Sequence, residues 1–327
     1  MSTEGGTKAV LAAAAANGFI AITKFGAWLL TGSSSMLAEG IHSVADTGNQ
    51  ALLLVGGRNA KKMADEEHPF GYGRSRYLAG FLVSVVLFSL GGLFALYEAW
   101  HKYQALADPS HAEDSILDSP WWWVPLVVLV FAIGAEGMSL RTALKEVGKV
   151  RGQQSLLKFI RSAKSPELPV IVLEDIAALV GLTFALAGVG LTLLTQQLIF
   201  DVLGTAMIGV LLVVVAIILA IETRSMLLGE GASEENQQRI QRALEETDGV
   251  DRVIHFRTLH LGPEQILLAA KLGVNRADTA ADVADLINRA EASVRAAVPH
   301  VTVCYIEPDI YNPHHTPTTS LHQEPQP

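Results

Sequence analysis

Cysteine is almost missing: the 327-residue chain has one, Cys304. That excludes an internal disulfide framework and any site built from several thiolates. Charge is also scarce, at 17% of residues, and it leans acidic, with a formal net charge of -9. A nucleic-acid partner calls for a basic face, so this balance argues against one. No GxGxxG turn, Walker loop or GxSxG elbow occurs, which leaves nucleotide-driven work and serine hydrolysis without their machinery. The opening MSTEGGTK carries a single lysine, and the apolar run behind it is too long for a cleaved signal, so no targeting segment is expected.

What the chain has instead is apolar residues, half of the total. With so few charges, that composition belongs to an integral membrane protein rather than a soluble domain. Six apolar stretches follow one another: 9–30, 36–56, 77–100, 121–144, 169–195 and 200–228. Each is long enough to cross about 30 Å of hydrocarbon as a helix. Trp121, Trp122 and Trp123 read as an aromatic belt opening the fourth. Lys and Arg gather in the connections after the second, fourth and sixth stretches, including the cation-rich segment 141–164. By the positive-inside rule both termini are then cytoplasmic. Glycines inside the spans are expected to serve close helix packing.

Beyond residue 229 the pattern changes to α-β-β-α-β: helix 233–246, strands 250–261 and 265–274 broken at Gly262-Pro263, helix 278–297 and strand 301–307. This order predicts a small α+β, ferredoxin-like cytosolic domain with its helices on one face of a sheet. The expected parcelling is a short N-terminus 1–8, a six-helix transmembrane bundle 9–230, an α+β domain 231–310 and a disordered tail 311–327.

The second stretch, MLAEGIHSVADTGNQALLLVG, carries Glu39, His42, Asp46 and Asn49. Offsets of three, four and three put all of them on one helical face. Ionisable groups at bilayer depth cost several kcal/mol unless they meet partners, water or an ion, which makes them functional candidates; the competing reading is a polar seam between helices. The fifth stretch carries Glu174 and Asp175 in PVIVLEDIAALVG. Adjacent residues diverge by about 100° on a helix, so at most one of the two aims straight at the stripe. At 1.5 Å per residue, Asp46 lies about 16 Å below the outer end of its span and Asp175 about 9 Å above the inner end of its own, so the two acids are expected to meet near mid-membrane. One imidazole with carboxylate or amide oxygens suits a borderline divalent cation: Zn²⁺, with Fe²⁺, Co²⁺ or Mn²⁺ admissible. Once the cation leaves, protons relieve the repulsion between like charges. Metal-for-proton exchange is the chemistry this predicts, with His42 the group whose ordinary range lies nearest neutral pH.

These residues, with DEEHPFGYGR in the following loop, an acidic fifth span and the α+β tail, resemble the cation diffusion facilitator family of divalent-metal/proton antiporters over nearly the whole chain, most of all its zinc transporter nine-like subgroup. The resemblance implies a homodimer whose tails pack together, and alternating access at a site between the second and fifth spans. His42 and Asp46 then fill the metal pair of the second span, and Asp175 the downstream acid of the fifth. The residue four before Asp175, a further ligand in zinc members, is Ile171 here, so Glu174 or Asn49 is expected to replace it. Asp65 and His68 match a loop metal position whose third ligand reads Tyr72. In the tail, Ile254, Ala270 and Tyr305 stand where other members carry His, leaving Glu307 alone, so a tail metal cluster is expected to be mostly absent.

No catalytic residue and no prosthetic group is expected; the partners are divalent cations, protons, lipid and a second copy of the chain. Other acids, Glu98, Glu136 and Glu222, lie nearer span ends, where solvent, Arg141 and Arg224 account for them. Asp201 is expected to serve its own helix N-terminus, Lys24 to snorkel or pack inward, and His314, His315 and His322 to be solvated tail. His255 and His260, five apart on a strand, point to opposite faces. A bacterial cytoplasmic membrane is the expected location. Competing with the zinc antiporter are an iron-, manganese- or cobalt-selective transporter, a partner protein that has kept the fold but does not transport, and a membrane metalloenzyme, for which no nucleophile is evident.

Overall fold

The computed structural model describes residues 3–107, 116–117 and 119–312, with side chains in the first helix from Asn17 onward. The tail histidines and most of the acidic loop after residue 107 lie outside the described residues. The chain separates into two compact units, Met1–Leu228 and Gly229–Pro327.

The first unit is helical: α1 (Thr3–Thr31), α2 (Ser34–Asn59), α3 (Ser75–Val86), a π-helical stretch Leu87–Leu93, α4 (Phe94–Ala107), α5 (Val124–Val150), α6 (Leu156–Ser162), α7 (Glu167–Thr195) and α8 (Ile199–Leu228). Four helices among the described residues are long and apolar enough to cross a membrane: Ser75–Leu106, α5, α7 and α8. Neither α1 nor α2 is among them, and in α2 the apolar run is interrupted by Glu39, His42, Asp46 and Asn49. The three tryptophans form a turn ahead of α5 rather than its first helical turn, because Pro125 takes an opening position of that helix, where a missing N–H is harmless. The basic connection contains α6, which composition alone does not announce. Its Phe159 and Ile160 pack on Val147 of α5 and Val172 of α7.

Helix spacing is set by glycine where neighbours come closest. A Cβ on Gly188 of α7 would sit 2.9 Å from the Phe200 carbonyl oxygen, and one on Gly204 of α8 would sit 3.0 Å from that of Phe184. Around these contacts lies the apolar core of Met36, Val83, Leu129, Leu182, Ile208 and Leu212.

Asp201 departs from its expected role. Rather than serving α8 alone, it reaches the start of α2, accepting hydrogen bonds from Ser33 Oγ (3.0 Å), the Ser34 amide (2.9 Å) and Ser34 Oγ (3.1 Å). Ser35 Oγ meets the Asp201 carbonyl and Thr205 Oγ1, both at 3.1 Å. The α2 N-terminus, whose first amides lack partners within the helix, is thereby capped from another helix.

The second unit runs α9 (Glu234–Glu245), β1 (Arg252–Gly262), β2 (Gln265–Gly273), α10 (Ala280–Ala297) and β3 (Val301–Asp309). Its sheet has the order β1-β2-β3, with β1 antiparallel and β3 parallel to β2. Alternate residues of β2, Ile266, Leu268, Ala270 and Leu272, form one core with Ile240 and Leu244 of α9 and Leu286, Ala290 and Val294 of α10. The helices therefore cover one face, as period-two patterning predicts. Thr279 and Asp282 form a capping box at the start of α10.

Replacing Asp201 with Ala is expected to destabilise the helical unit by about 1–2 kcal/mol, the size of a lost buried cap. A lowered thermal unfolding midpoint in detergent relative to the unaltered chain is the readout.

Candidate metal site

The stripe on α2 is buried as its spacing predicts: Glu39, His42 and Asn49 are at most 1% exposed and Asp46 is 8% exposed. Side chains from α1 and α7 meet it, and α5 bonds to α7 beside it. From α1, Lys24 Nζ pairs with Glu39 Oε2 at 2.8 Å and donates to Ser43 Oγ at 2.8 Å. Lys24 packs inward and does not snorkel, being 1% exposed. From α7, Glu174 Oε1 accepts from Asn49 Nδ2 at 2.6 Å, and Gly181 leaves room for Glu39, whose Oε1 would lie 2.9 Å from a Cβ there. From α5, Ser139 Oγ donates to Asp175 Oδ2 at 3.0 Å.

The adjacent acids of α7 thus divide as helix geometry requires. Glu174 turns to α2, whereas Asp175 turns to α5 and stays within electrostatic reach of Asp46. His42 Nδ1 lies 3.6 Å from Asp46 Oδ1, too far for a hydrogen bond. Both ring nitrogens of His42, Asp46 Oδ1, Asn49 Oδ1 and Glu39 Oε1 are buried without a hydrogen-bond partner. Each such atom costs about 1–3 kcal/mol. Among the described residues no group of His, Cys, Asp and Glu is drawn together tightly enough to hold a metal ion as it stands. The arrangement is a loose cluster of donors with unused lone pairs. Ile171, on the expected ligand position, packs instead in the apolar layer around Val147, Phe159 and Val172.

The loop position is occupied by its own hydrogen bonds. Tyr72 donates to Asp65 Oδ2 at 2.6 Å, the His68 amide donates to Asp65 Oδ1 at 2.7 Å, and the His68 and Tyr72 rings lie 4.2 Å apart. The Tyr72 hydroxyl, with the His68 amide, holds Asp65 below the usual carboxylate range, while the carboxylate pushes the Tyr72 phenol up. In the second unit, Glu307 and Asp309 take Lys271 Nζ at 3.1 and 2.9 Å and hold it above the usual lysine range, Asp309 contributing most. His255 is exposed and His260 buried, as their spacing implies.

Residues 10–228 match the cation efflux transmembrane domain and residues 232–310 the cytoplasmic domain of cation efflux proteins. The chain belongs to the cation diffusion facilitator family. It is similar to the human "Proton-coupled zinc antiporter SLC30A9, mitochondrial", with 31% identity over 82% of this chain and 46% of that protein. It is also similar to "Metal tolerance protein C4" of Arabidopsis thaliana, 28% identical over 82% of this chain and 57% of that one. "Magnetosome protein MamM" of Magnetospirillum gryphiswaldense is 25% identical over 81% of this chain and 76% of that one. The chain spans about half the length of the first of these relatives. Family membership makes it an integral membrane protein of a transporter family, not an enzyme.

Two residues of the cluster carry no clear mark in the sequence. Lys24, expected to snorkel or pack inward, pairs with Glu39. Glu136, expected near a span end beside Arg141, lies midway along α5, 6% exposed and within electrostatic reach of Asp46, Lys24, Asp175 and His42. Its offset of three from Ser139 was the available signal, since it puts both on one face.

Two outcomes are expected. Lys24→Met leaves Glu39 buried and uncompensated, costing about 3–5 kcal/mol, and most of that returns in the Lys24→Met/Glu39→Met double variant; chemical unfolding of these two, of Glu39→Met and of the unaltered protein checks the cycle. In the loop, Tyr72→His removes the donor that occupies Asp65 and supplies an imidazole, so equilibrium dialysis against Zn²⁺ should count one more bound ion per chain than in the unaltered protein.

Proposed function

We propose that this protein exports a divalent cation, zinc foremost, in exchange for protons, by alternating access at the cluster between α2 and α7. One observation carries this reading: the buried, unpartnered nitrogens of His42 and Oδ1 of Asp46 on the helix face that meets Glu174, with Asp175 in electrostatic reach of Asp46. His42, Asp46 and Asp175 serve as metal ligands, with Glu174 and Asn49 in the place left by Ile171. An imidazole among carboxylates favours Zn²⁺ over harder ions, with Fe²⁺, Co²⁺ and Mn²⁺ as competitors. Similarity to the human relative, a proton-coupled zinc antiporter, supports both zinc and protons.

In this reading α1, α2, the composite α3–α4 helix, α5, α7 and α8 are six spans, and both termini face the cytoplasm. The transmembrane domain covers 9–230 and the ferredoxin-like α+β domain covers 231–310 and joins two copies into a homodimer, in keeping with its match to the family's cytoplasmic domain. Lys24 supplies a resident positive charge that offsets Glu39, which leaves Asp46 and Asp175 to balance a doubly charged ion. A second reading, a partner protein that does not transport, draws on Ile171 at a ligand position and on the Asp65–Tyr72 bond across the loop position.

Reconstituted in proteoliposomes, the unaltered protein is expected to drive Zn²⁺ across an imposed pH step faster than Fe²⁺, Mn²⁺ or Co²⁺. Asp46→Ala and Asp175→Ala should each reduce that flux to the level of empty vesicles. Normal flux in both variants would place transport elsewhere, and an unaltered protein that binds no divalent ion by calorimetry would favour the partner reading.

A further inference from the structure

We propose that Glu136 of α5 is a direct ligand of the transported cation, so that the site is closed by three helices and not by α2 and α7 alone. The inference rests on the transport reading of the α2 cluster and adds to it a residue from an element that reading leaves out.

The argument is one of level. Along α2 and α7, Glu39 meets Gly181 and Asn49 meets Glu174, so residue numbers rise on one helix as they fall on the other. Along α5 and α7, Val147 packs near Val172 and Ser139 bonds to Asp175, which is again antiparallel. Asn49, Glu174, Asp175 and Ser139 therefore share one layer. Three residues, about 4.5 Å, further along in the same direction are Asp46 on α2 and Glu136 on α5. The spacing of three keeps Glu136 on the face that Ser139 turns to Asp175.

Glu136 is accordingly buried, and Asp46, His42, Asp175 and Lys24 all act on its charge. Its surroundings are those of a ligand site: His42 is 1% exposed with both nitrogens unpartnered, and Asp46 Oδ1 is unpartnered as well. Glu174 and Asp175 are each held by a donor, Asn49 and Ser139. Glu136 therefore adds, from α5, a further oxygen to those of α2 and α7.

The test uses the full chain in detergent with Zn²⁺ or Co²⁺ as the only added ion. Glu136→Gln, which keeps shape and loses charge, is expected to weaken Zn²⁺ binding by more than the roughly tenfold to hundredfold typical of a residue that only orients a ligand. It should also change the visible absorption of bound Co²⁺, which reports ligand number and kind and which a merely structural role would leave unmoved. Glu136→Asp, which moves the carboxylate back by one methylene, should fall between the two; it stands in if the Gln variant fails to fold, and unaltered binding in it overturns the proposal. Unchanged affinity and an unchanged Co²⁺ spectrum in Glu136→Gln overturn it too. Asp46→Asn run in parallel separates the two ideas. If Asp46→Asn abolishes binding and Glu136→Gln leaves affinity and spectrum unchanged, only the role of Glu136 falls; if Asp46→Asn binds normally, the site itself is wrong and this inference falls with it.

Discussion

Burying ionisable groups inside an apolar bundle is costly, and α2 carries several of them on one face. An unpaired charge in hydrocarbon is tolerated only with a counter-charge, a set of hydrogen bonds, water or an ion. The bundle answers by bringing partners from other helices: Lys24 from α1 to Glu39, Glu174 from α7 to Asn49, and Asp201 from α8 to the serines at the start of α2. The small residues between them follow from the same requirement. Gly181, Gly188 and Gly204 let the backbones approach until these side chains reach one another.

Two polar regions on the same helix show how structure and function part company. At the α2 N-terminus the Asp201 carboxylate accepts from Ser33 and Ser34, while Ser35 bonds onward to Thr205. That network is saturated, so it holds and does not exchange. A few turns on, His42, Asp46 and Glu39 keep buried atoms without partners. An arrangement that leaves lone pairs unsatisfied in low dielectric gives up stability, which marks this face as the candidate site.

The family pattern is uneven across the chain for a similar reason. In the helical unit Glu39 and Asp46 each keep a buried oxygen without a partner. The loop acid Asp65 is engaged by Tyr72 and the His68 amide, and Glu307 and Asp309 by Lys271. In these two exposed places a hydrogen bond or an ion pair occupies the oxygens that a metal would take.

The membrane character, the polar stripe from Glu39 to Asn49, the divergence of Glu174 from Asp175 and the α-β-β-α-β order of the second unit were all readable in the sequence. Each follows from composition or from a local period of 3.6 or 2 residues. The pairing of Lys24 with Glu39, the reach of Asp201 to another helix, the closure of the loop by Tyr72 and the place of Glu136 depended on which helix faces became neighbours. Residues far apart in the chain carry no local mark of their meeting; the packing of glycine against backbone set the levels at which they meet, and that was decided only in three dimensions.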